Sequence, residues 1–315
     1  MNPSRVLVTG GAGFIGSHAV DHLLDLGCRV HVVDDLSSGH LDNLERASAR
    51  SGYSFTEMDI TEEGALLGVC EEISPDAIIH LAGLVSVVRG QEEPDLNYLL
   101  NLHSTQIVAE AARRSGVGRI VFASSAAVYG DCPDLPLSES ATPNPLSQYG
   151  LAKFLSEQLL QGYALSYGLE AVSLRFFNVF GPRQDPTSPY SGVISLFAQC
   201  FADKRAVTIF GDGEQTRDFV SVYDVARALS ISATRSSVKS AVINVCTGRA
   251  SSVMDVWRGL KTLYPDGADP DFQPMRDGEI TNSTGDSSLA CRYLDFTAER
   301  ALQEGLEELV QDLDD

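Results

Sequence analysis

Short apolar runs alternate with stretches in which apolar positions recur every three or four residues, and this rhythm fills the first half of the chain. Arg5-Val-Leu-Val-Thr9 reads as a buried strand, and residues 14–26 have the spacing of a helix. Arg29-Val-His-Val-Val33, Tyr53-Ser-Phe-Thr-Glu57, Ala77-Ile-Ile-His80 and Arg119-Ile-Val-Phe-Ala123 follow as strands, with helices near 62–70 and 92–115 between them. A helix near 148–166 and a strand near 170–176 continue the alternation. Strands and helices in strict turn predict an α/β fold: a doubly wound parallel sheet of the Rossmann type, covered by helices on both faces.

After Phe177 the rhythm breaks. Residues 178–192 are rich in Pro, Gly and Ser, as loops are, and shorter elements follow. These are a helix from about 191, the strand Val207-Thr-Ile209, a turn at Gly211-Asp-Gly213, a helix from 222 and a strand at 241–245. The pattern divides the chain into a nucleotide-binding domain over 1–177, with its sheet completed by segments around 215–248, and a smaller, interwoven C-terminal substrate-binding lobe over 178–315. A cleft is expected between them. Residues 251–295 are expected to complete the lobe, and the acidic tail from Glu304 to Asp315 to be a solvated helix end.

Composition narrows the class of function. The chain has 315 residues, 43% of them hydrophobic and 21% charged, enough to bury a large core. Its formal charge of −20 argues against a nucleic-acid binder, which wants a basic face, and leaves room for a small anionic ligand held by a few arginines. No run reaches the roughly 18 to 20 apolar residues of a membrane span. The N-terminus enters a strand with no signal-peptide pattern, so a cytoplasmic location is expected. The six cysteines are scattered, with no C-x-x-C, and read as reduced thiols; no metal site is expected.

The first strand runs into Thr9-Gly-Gly-Ala-Gly-Phe-Ile-Gly16, a glycine loop opening a helix. Gly10, Gly13 and Gly16 let the backbone turn tightly and approach a pyrophosphate, whose charge is held by amides at the helix start; Phe14 and Ile15 lie in the same stretch. The second strand ends in Asp34-Asp-Leu-Ser-Ser-Gly39, about 20 residues beyond the loop. A carboxylate there accepts hydrogen bonds from the adenosine ribose hydroxyls and repels a 2′-phosphate, and no arginine follows immediately to receive one. NAD is therefore expected rather than NADP, with Asp34, Asp35, Ser37, Ser38 and Gly39 around the ribose. Asp59-Ile60 could reach the adenine amine, although a plain strand cap explains the dipeptide as well. His80 ends a buried strand with no second ligand nearby and reads as structural.

The chemistry is written in Ser147-Gln-Tyr-Gly-Leu-Ala-Lys153, preceded by Ser124-Ser-Ala-Ala-Val-Tyr-Gly130. Helix positions i and i+4 share a face, so Tyr149 and Lys153 point into one site. A phenol with an ordinary pKa near 10 is a poor base at neutral pH. Lys153 and a positive nicotinamide ring beside it would stabilise the phenolate, and Ser125 could bond the same substrate oxygen. Taken alone, Tyr-x-x-x-Lys is an ordinary helix; combined with the glycine loop, the aspartate and the serines, it indicates proton transfer beside a redox cofactor.

Across nearly its whole length the chain resembles the extended short-chain dehydrogenases/reductases, specifically the NAD-dependent sugar-nucleotide epimerase/dehydratase family and its UDP-galactose and UDP-N-acetylglucosamine 4-epimerases. The stretches already quoted carry the resemblance. They are joined by His80-Leu-Ala-Gly83, Leu174-Arg-Phe-Phe-Asn-Val-Phe-Gly-Pro-Arg183, Tyr190-Ser-Gly-Val-Ile194, Gly211-Asp-Gly-Glu-Gln-Thr-Arg-Asp-Phe-Val220 and Arg276-Asp-Gly-Glu279. The resemblance adds Leu81, Ala82, Gly83, Asn101 and Phe176 to the cofactor site. It implies a UDP-sugar substrate lined by Ser86, Ser125, Asn178, Gly192, Val193, Thr208, Phe210, Arg217, Arg276, Glu279 and Ser283. Arg217 and Arg276 would bind the diphosphate, Phe210 would pack on the uracil and Glu279 would accept from ribose hydroxyls.

The reaction so implied is reversible C4 epimerisation. Tyr149 takes the 4-hydroxyl proton while C4 gives hydride to bound NAD, and the 4-keto sugar turns and is reduced on its other face. Family dehydratases carry an Asp-Glu pair, and decarboxylases a glutamate, where this chain has Ala126 and Ala127, so both reactions are disfavoured. Ser283 stands where a bulky tyrosine would exclude N-acetylated sugars. The resemblance therefore points to UDP-N-acetylglucosamine/N-acetylgalactosamine, with UDP-glucose/galactose a second activity and UDP-glucuronate the rival. A non-catalytic NAD or nucleotide-sugar sensor is the alternative of another class, and such a protein would be expected to lack Tyr149 or Lys153. Two departures stand out: Asn101-Leu-His-Ser-Thr105 replaces Asn-x-x-Gly-Thr, and Val85 replaces a lysine found in some galactose epimerases. Helices near 92–115 and 148–166 resemble those that pair in family homodimers.

Overall fold

A computed structural model describes residues 4–186, 192–275 and 280–314. Seven parallel strands form the central sheet in the order β11-β6-β5-β4-β1-β2-β3. They are β1 (Arg5–Thr9), β2 (Arg29–Asp34), β3 (Tyr53–Glu57), β4 (Ala77–His80), β5 (Arg119–Ser125), β6 (Glu170–Phe176) and β11 (Ala241–Val245). Side chains alternate across the sheet, as strand geometry requires. Val6, Val8, Val30 and Val32 face one layer, built on α1 (Phe14–Asp25) and α9 (Val222–Thr234). Leu7, Val33, Ile78, Ile120 and Phe122 face the other, built on α3 (Ala65–Ile73), α6 (Ser104–Ser115) and α7 (Gln148–Tyr167). Strand order reverses between β1 and β4, so the connections leaving their C-terminal ends diverge and open a crevice there.

The strands fall where the apolar runs placed them, whereas helix boundaries moved for local reasons. The helix expected near 62–70 is Ala65–Ile73, because Thr61 is held in a turn by Asp59 and Gly64 adopts a left-handed conformation before it starts. The helix expected over 92–115 is broken. A short α4 (Val87–Glu92) stops at Glu93, whose backbone leaves the helical region as a residue before proline must. Pro94 then opens α5 (Pro94–Tyr98), and a π-helical turn, Leu99–His103, joins it to α6.

A second core lies beyond the sheet. Ile194, Phe197, Phe201, Ile209, Val256, Leu260, Leu306 and Leu309 pack together from α8 (Val193–Ala202), β8 (Thr208–Phe210), α10 (Val253–Leu263) and α12 (Leu302–Asp314), joined by Phe180 and Phe219. Three expectations need correction. Only β11 of the 215–248 region joins the main sheet: β9 (Thr216–Arg217) pairs with β12 (Ser251–Ser252), and β10 (Phe219–Ser221) with β7 (Asn178–Phe180). Residues 288–296 pack on the sheet rather than in the lobe, because α11 (Ser288–Leu294) and Phe296 bury their apolar side chains against the α9 layer. The acidic tail is not a solvated end; Leu306 and Leu309 are buried, so only one face of α12 meets water. The short β13 (Asp271–Gln273) pairs with β8. The two lobes are interwoven, since the chain crosses between them repeatedly.

Candidate active site

The crevice at the strand reversal is floored by the glycine loop. Gly10 has φ +71°, and a Cβ built on it would lie 2.6 Å from the Ala82 amide, because the chain leaving β4 crosses directly over it. A Cβ on Gly16 would lie 2.1 Å from the Gly10 carbonyl, so the loop closes on the first turn of α1 only with glycine there. Gly13 is the N-cap of α1, and Phe14 and Ile15, both partly exposed, begin it. Their amides are the unpaired donors of a helix N-terminus, a fitting seat for a pyrophosphate.

Asp34 ends β2 almost completely buried, with Oδ2 accepting from the Ala12 amide and Oδ1 from the Leu36 amide, both at 2.9 Å. Burial pushes its carboxyl upward against those two bonds, and its other lone pairs remain for ribose hydroxyls. Gly39 passes so close that a Cβ would lie 2.9 Å from Asp34 Oδ1. Asp35, Ser37 and Ser38 are exposed, and Asp35 binds the Ser37 amide and hydroxyl. Asp59 is the strand cap that the dipeptide also suggested: its Oδ1 takes both the amide and hydroxyl of Thr61, and Ile60 sits in the core. Leu81 and Ala82 both donate to the Thr9 carbonyl at 3.1 Å, which sets Gly83 beside Asn101. Phe176 is buried opposite Ser125 in the β5–β6 register. The glycine cradle and the aspartate fit a dinucleotide with an unmodified ribose.

Tyr149 and Lys153 lie on the sheet-facing side of α7, whose start is fixed by Ser147 accepting from the Gly150 amide at 3.1 Å. Both are buried, and the Lys153 ammonium is 5.7 Å from the Tyr149 ring centroid and 5.0 Å from that of Phe122. Burial raises the Tyr149 phenol, with the nearby Ser125 hydroxyl acting in the other direction, and pushes Lys153 down to about 8. Ser125 is itself held by the Ala127 amide at 3.1 Å. His80 is structural, as expected: Nδ1 bonds Thr9 Oγ1 at 2.8 Å, and burial pushes it down to about 3.

Sequence reasoning missed what holds this set in place. Glu157, four residues beyond Lys153, is fully buried and grips Arg175 of β6 side-on, at 2.9 Å from Nε and 2.7 Å from Nη2. It also accepts from the Ser124 hydroxyl. The third member of an i, i+4, i+8 series thus ties α7 to the strands bearing Ser125 and Phe176. An arginine inside the apolar run of β6 was the signal that could have exposed it. Asn101, in the π turn, donates to the Leu84 carbonyl at 3.0 Å and to Asn97 at 2.9 Å, while its carbonyl accepts from Ser156 of α7 at 3.1 Å. Ser104, the departure at the glycine position, is accommodated by turning its hydroxyl to the Leu100 carbonyl. Val85 is exposed at the mouth of the crevice.

The residues expected to line a substrate are divided between the sheet and the second lobe. Ser86 is buried and serves as the N-cap of α4, 2.9 Å from the Arg89 amide. Asn178 is exposed, with its amide bonded to the Asp218 carbonyl at 3.0 Å. Gly192 and Val193 begin α8, Thr208 is exposed on β8, and the Phe210 carbonyl accepts from Gln215 at 2.9 Å. Arg217 and Ser283 are brought together, since the Ser283 amide donates to Thr216 at 3.1 Å. Arg276 and Glu279 lie outside the described residues. A surface cavity lined by Arg5, Arg29, His31 and Tyr53 opens at the opposite end of the sheet and has no part in this site.

Residues 6–246 match the model of the NAD dependent epimerase/dehydratase family. The chain belongs to this family. Its cofactor is NAD, and it is an NAD-dependent epimerase of the isomerase class. It is 37% identical over 308 residues to the UDP-glucose 4-epimerase of Mycolicibacterium smegmatis, covering 98% of this chain and 97% of that one. The UDP-N-acetylglucosamine 4-epimerase of Methanobrevibacter ruminantium, solved with UDP-N-acetylmuramic acid, superposes with a TM-score of 0.94 at 34% identity over 99% of both chains. MoeE5, solved with UDP-glucuronic acid and NAD, superposes with a TM-score of 0.88 at 34% identity, again over 99% of both. Relatives of such even likeness are named for, or solved with, different UDP-sugars, so sugar preference has to be argued from the site.

Proposed function

We propose that this protein interconverts UDP-N-acetylglucosamine and UDP-N-acetylgalactosamine by reversible epimerisation at C4, with UDP-glucose and UDP-galactose as a second pair. The observation that carries the reaction is the buried Tyr149 phenol, with the Lys153 ammonium 5.7 Å from its ring centroid, at the end of the dinucleotide crevice. NAD, when bound, supplies the acceptor and donor of the C4 hydride. Tyr149 takes the proton of the 4-hydroxyl and returns it to the other face, Ser125 steers that oxygen, and Lys153 offsets the charge of the phenolate. Elimination would need an acid next to Ser125; Ala126 and Ala127 supply only methyl groups, which supports epimerisation without dehydration.

For the sugar, the supporting feature is the small Ser283, held beside Arg217 through Thr216, which leaves space for an acetamido group. The uronate reading is favoured by the likeness to MoeE5. Against it, Arg89, the cation of α4, is already paired with Glu93 at 2.8 Å. The assembly we propose is a homodimer through α6 and α7, a reading supported by the apolar Leu165 and Tyr167 standing exposed on α7. The test is to purify the protein, measure its bound NAD, and offer UDP-N-acetylglucosamine, UDP-glucose and UDP-glucuronate separately. Product from the first in excess of the others is expected. Turnover of the uronate alone would overturn the substrate, and no turnover despite bound NAD would overturn the enzyme in favour of a sensor.

A further inference from the structure

Asp218 is a fully buried carboxylate that meets four donors, all of them neutral. Oδ1 accepts from the Thr247 amide at 2.8 Å and the Thr247 hydroxyl at 2.7 Å. Oδ2 accepts from the Gly248 amide at 2.9 Å and, more loosely, from the Gly285 amide at 3.3 Å. An anion so buried persists only because its hydrogen bonds replace water, and a protein keeps such an arrangement where geometry depends on it. The donors come from two segments far apart in the chain, 247–248 and 285. Glycine is required at both: Gly248 has φ +74°, and a Cβ on Gly285 would lie 2.6 Å from Cys246 Sγ.

These segments flank the residue before Asp218. Three residues after Gly248, β12 begins, and its Ser251 and Ser252 pair with Arg217 and Thr216. On the other side, the Thr216 amide donates to Thr281 at 2.9 Å and its carbonyl accepts from Ser283 at 3.1 Å, two residues before Gly285. The Arg217 guanidinium reaches across this small sheet, with Nη1 2.8 Å from the Thr216 carbonyl and 3.5 Å from that of Thr281. The segments on both sides of Arg217 are thus tethered, within a few residues, to one carboxylate, and the carbonyl of Asp218 receives the amide of Asn178.

We propose that Asp218 is a positioning residue for nucleotide binding: by pinning the 247–248 turn and the 281–285 segment on either side of β9, it aims Arg217 at the diphosphate of the substrate. This rests on the reading of Arg217 as a diphosphate ligand. Asp218 touches neither substrate nor cofactor; it acts through Arg217.

The test uses the full-length protein with its bound NAD and takes UDP as the probe. In Asp218→Asn, whichever way the amide is turned, its NH2 faces a backbone N–H, that of Thr247 in one orientation and those of Gly248 and Gly285 in the other. The Kd for UDP is expected to rise about tenfold. KM for the nucleotide sugar should rise in parallel, with kcat within roughly twofold and NAD content unchanged. Thr247→Val, which removes one donor and keeps the backbone, should give a smaller change in the same direction, and it decides the matter if Asp218→Asn does not fold. Arg217→Ala is the control on the underlying reading and should weaken UDP at least as much. Unchanged UDP affinity in the Asp218 or Thr247 variant, with Arg217→Ala impaired, overturns the positioning role alone. Unchanged affinity in Arg217→Ala overturns both. Loss of NAD in step with loss of UDP affinity would show a general structural role and also overturn the proposal.

Discussion

Replacing Lys153 by methionine should make the nucleotide-free protein more stable at neutral pH while removing a group we propose is catalytic. Lys153 is 4% exposed, its ammonium faces the rings of Phe122 and Tyr149, and burial lowers its pKa from 10.5 to about 8. At about 1.4 kcal/mol per pH unit, that difference costs the folded state roughly 3 kcal/mol wherever the lysine is charged in both states. The sign follows from proton counting. Between pH 8 and 10.5 the unfolded chain holds the proton that the folded protein has shed, so stability rises with pH across this window. The penalty is full below pH 8 and gone above about 10.5. Methionine is unbranched, suits an aromatic-lined slot and carries no charge, so it escapes the penalty. Urea denaturation of wild type and Lys153→Met without nucleotide, at several pH values from 7 to 10.5, would show a gap of about 3 kcal/mol in favour of the variant that closes as pH rises. A variant less stable at pH 7, or a gap independent of pH, would refute the argument.

The Glu157–Arg175 pair predicts the opposite behaviour. Glu157→Gln leaves a guanidinium in a site closed to water and should cost about 3 to 5 kcal/mol by denaturation, whereas a Glu157→Leu/Arg175→Met double variant should recover most of it; equal stability of the single variant and wild type would contradict this. Tyr149→Phe keeps the ring and loses the phenol, so kcat should fall by about 100-fold or more while bound NAD and UDP affinity persist, and a variant at full speed would end the assignment. With a net charge of −20 and only 4 lysines beside 19 arginines, the chain repels itself at low ionic strength. Its melting temperature should rise as KCl is taken from about 10 mM to about 1 M, and a flat or falling curve would show that local ion pairs dominate over the net charge.

The sheet and the proton-transfer set were legible because each depends on residues close in sequence. An apolar run of five residues flanked by a glycine loop is a buried strand before a nucleotide-binding turn in nearly any setting, and Tyr149 and Lys153 share a face because a helix repeats every 3.6 residues. Glycines 10, 13 and 16 declare a close approach by their spacing alone. The same local reasoning failed where neighbours from elsewhere intervene. Nothing in the spacing of 92–115 revealed the break at Glu93 and Pro94 or the π turn at Asn101, whose amide and carbonyl are claimed by Leu84 and Ser156. Residues 251–295 were expected in the lobe, yet α11 packs on the sheet, since an amphipathic helix buries its apolar face against whichever core lies nearest.

By itself, then, the sequence determined the parallel sheet, the dinucleotide loop with its preference for an unmodified ribose, and the tyrosine, lysine and serine that we propose move the proton. Folding alone decided which buried charges support them. Glu157 finds Arg175 across 18 residues, and Asp218 finds Thr247 and Gly285 across 29 and 67. The physical reason is that a carboxylate stripped of water must be satisfied by whatever donors the completed fold brings within about 3 Å. No period or motif along the chain encodes such a meeting, because it exists only once the elements have packed together.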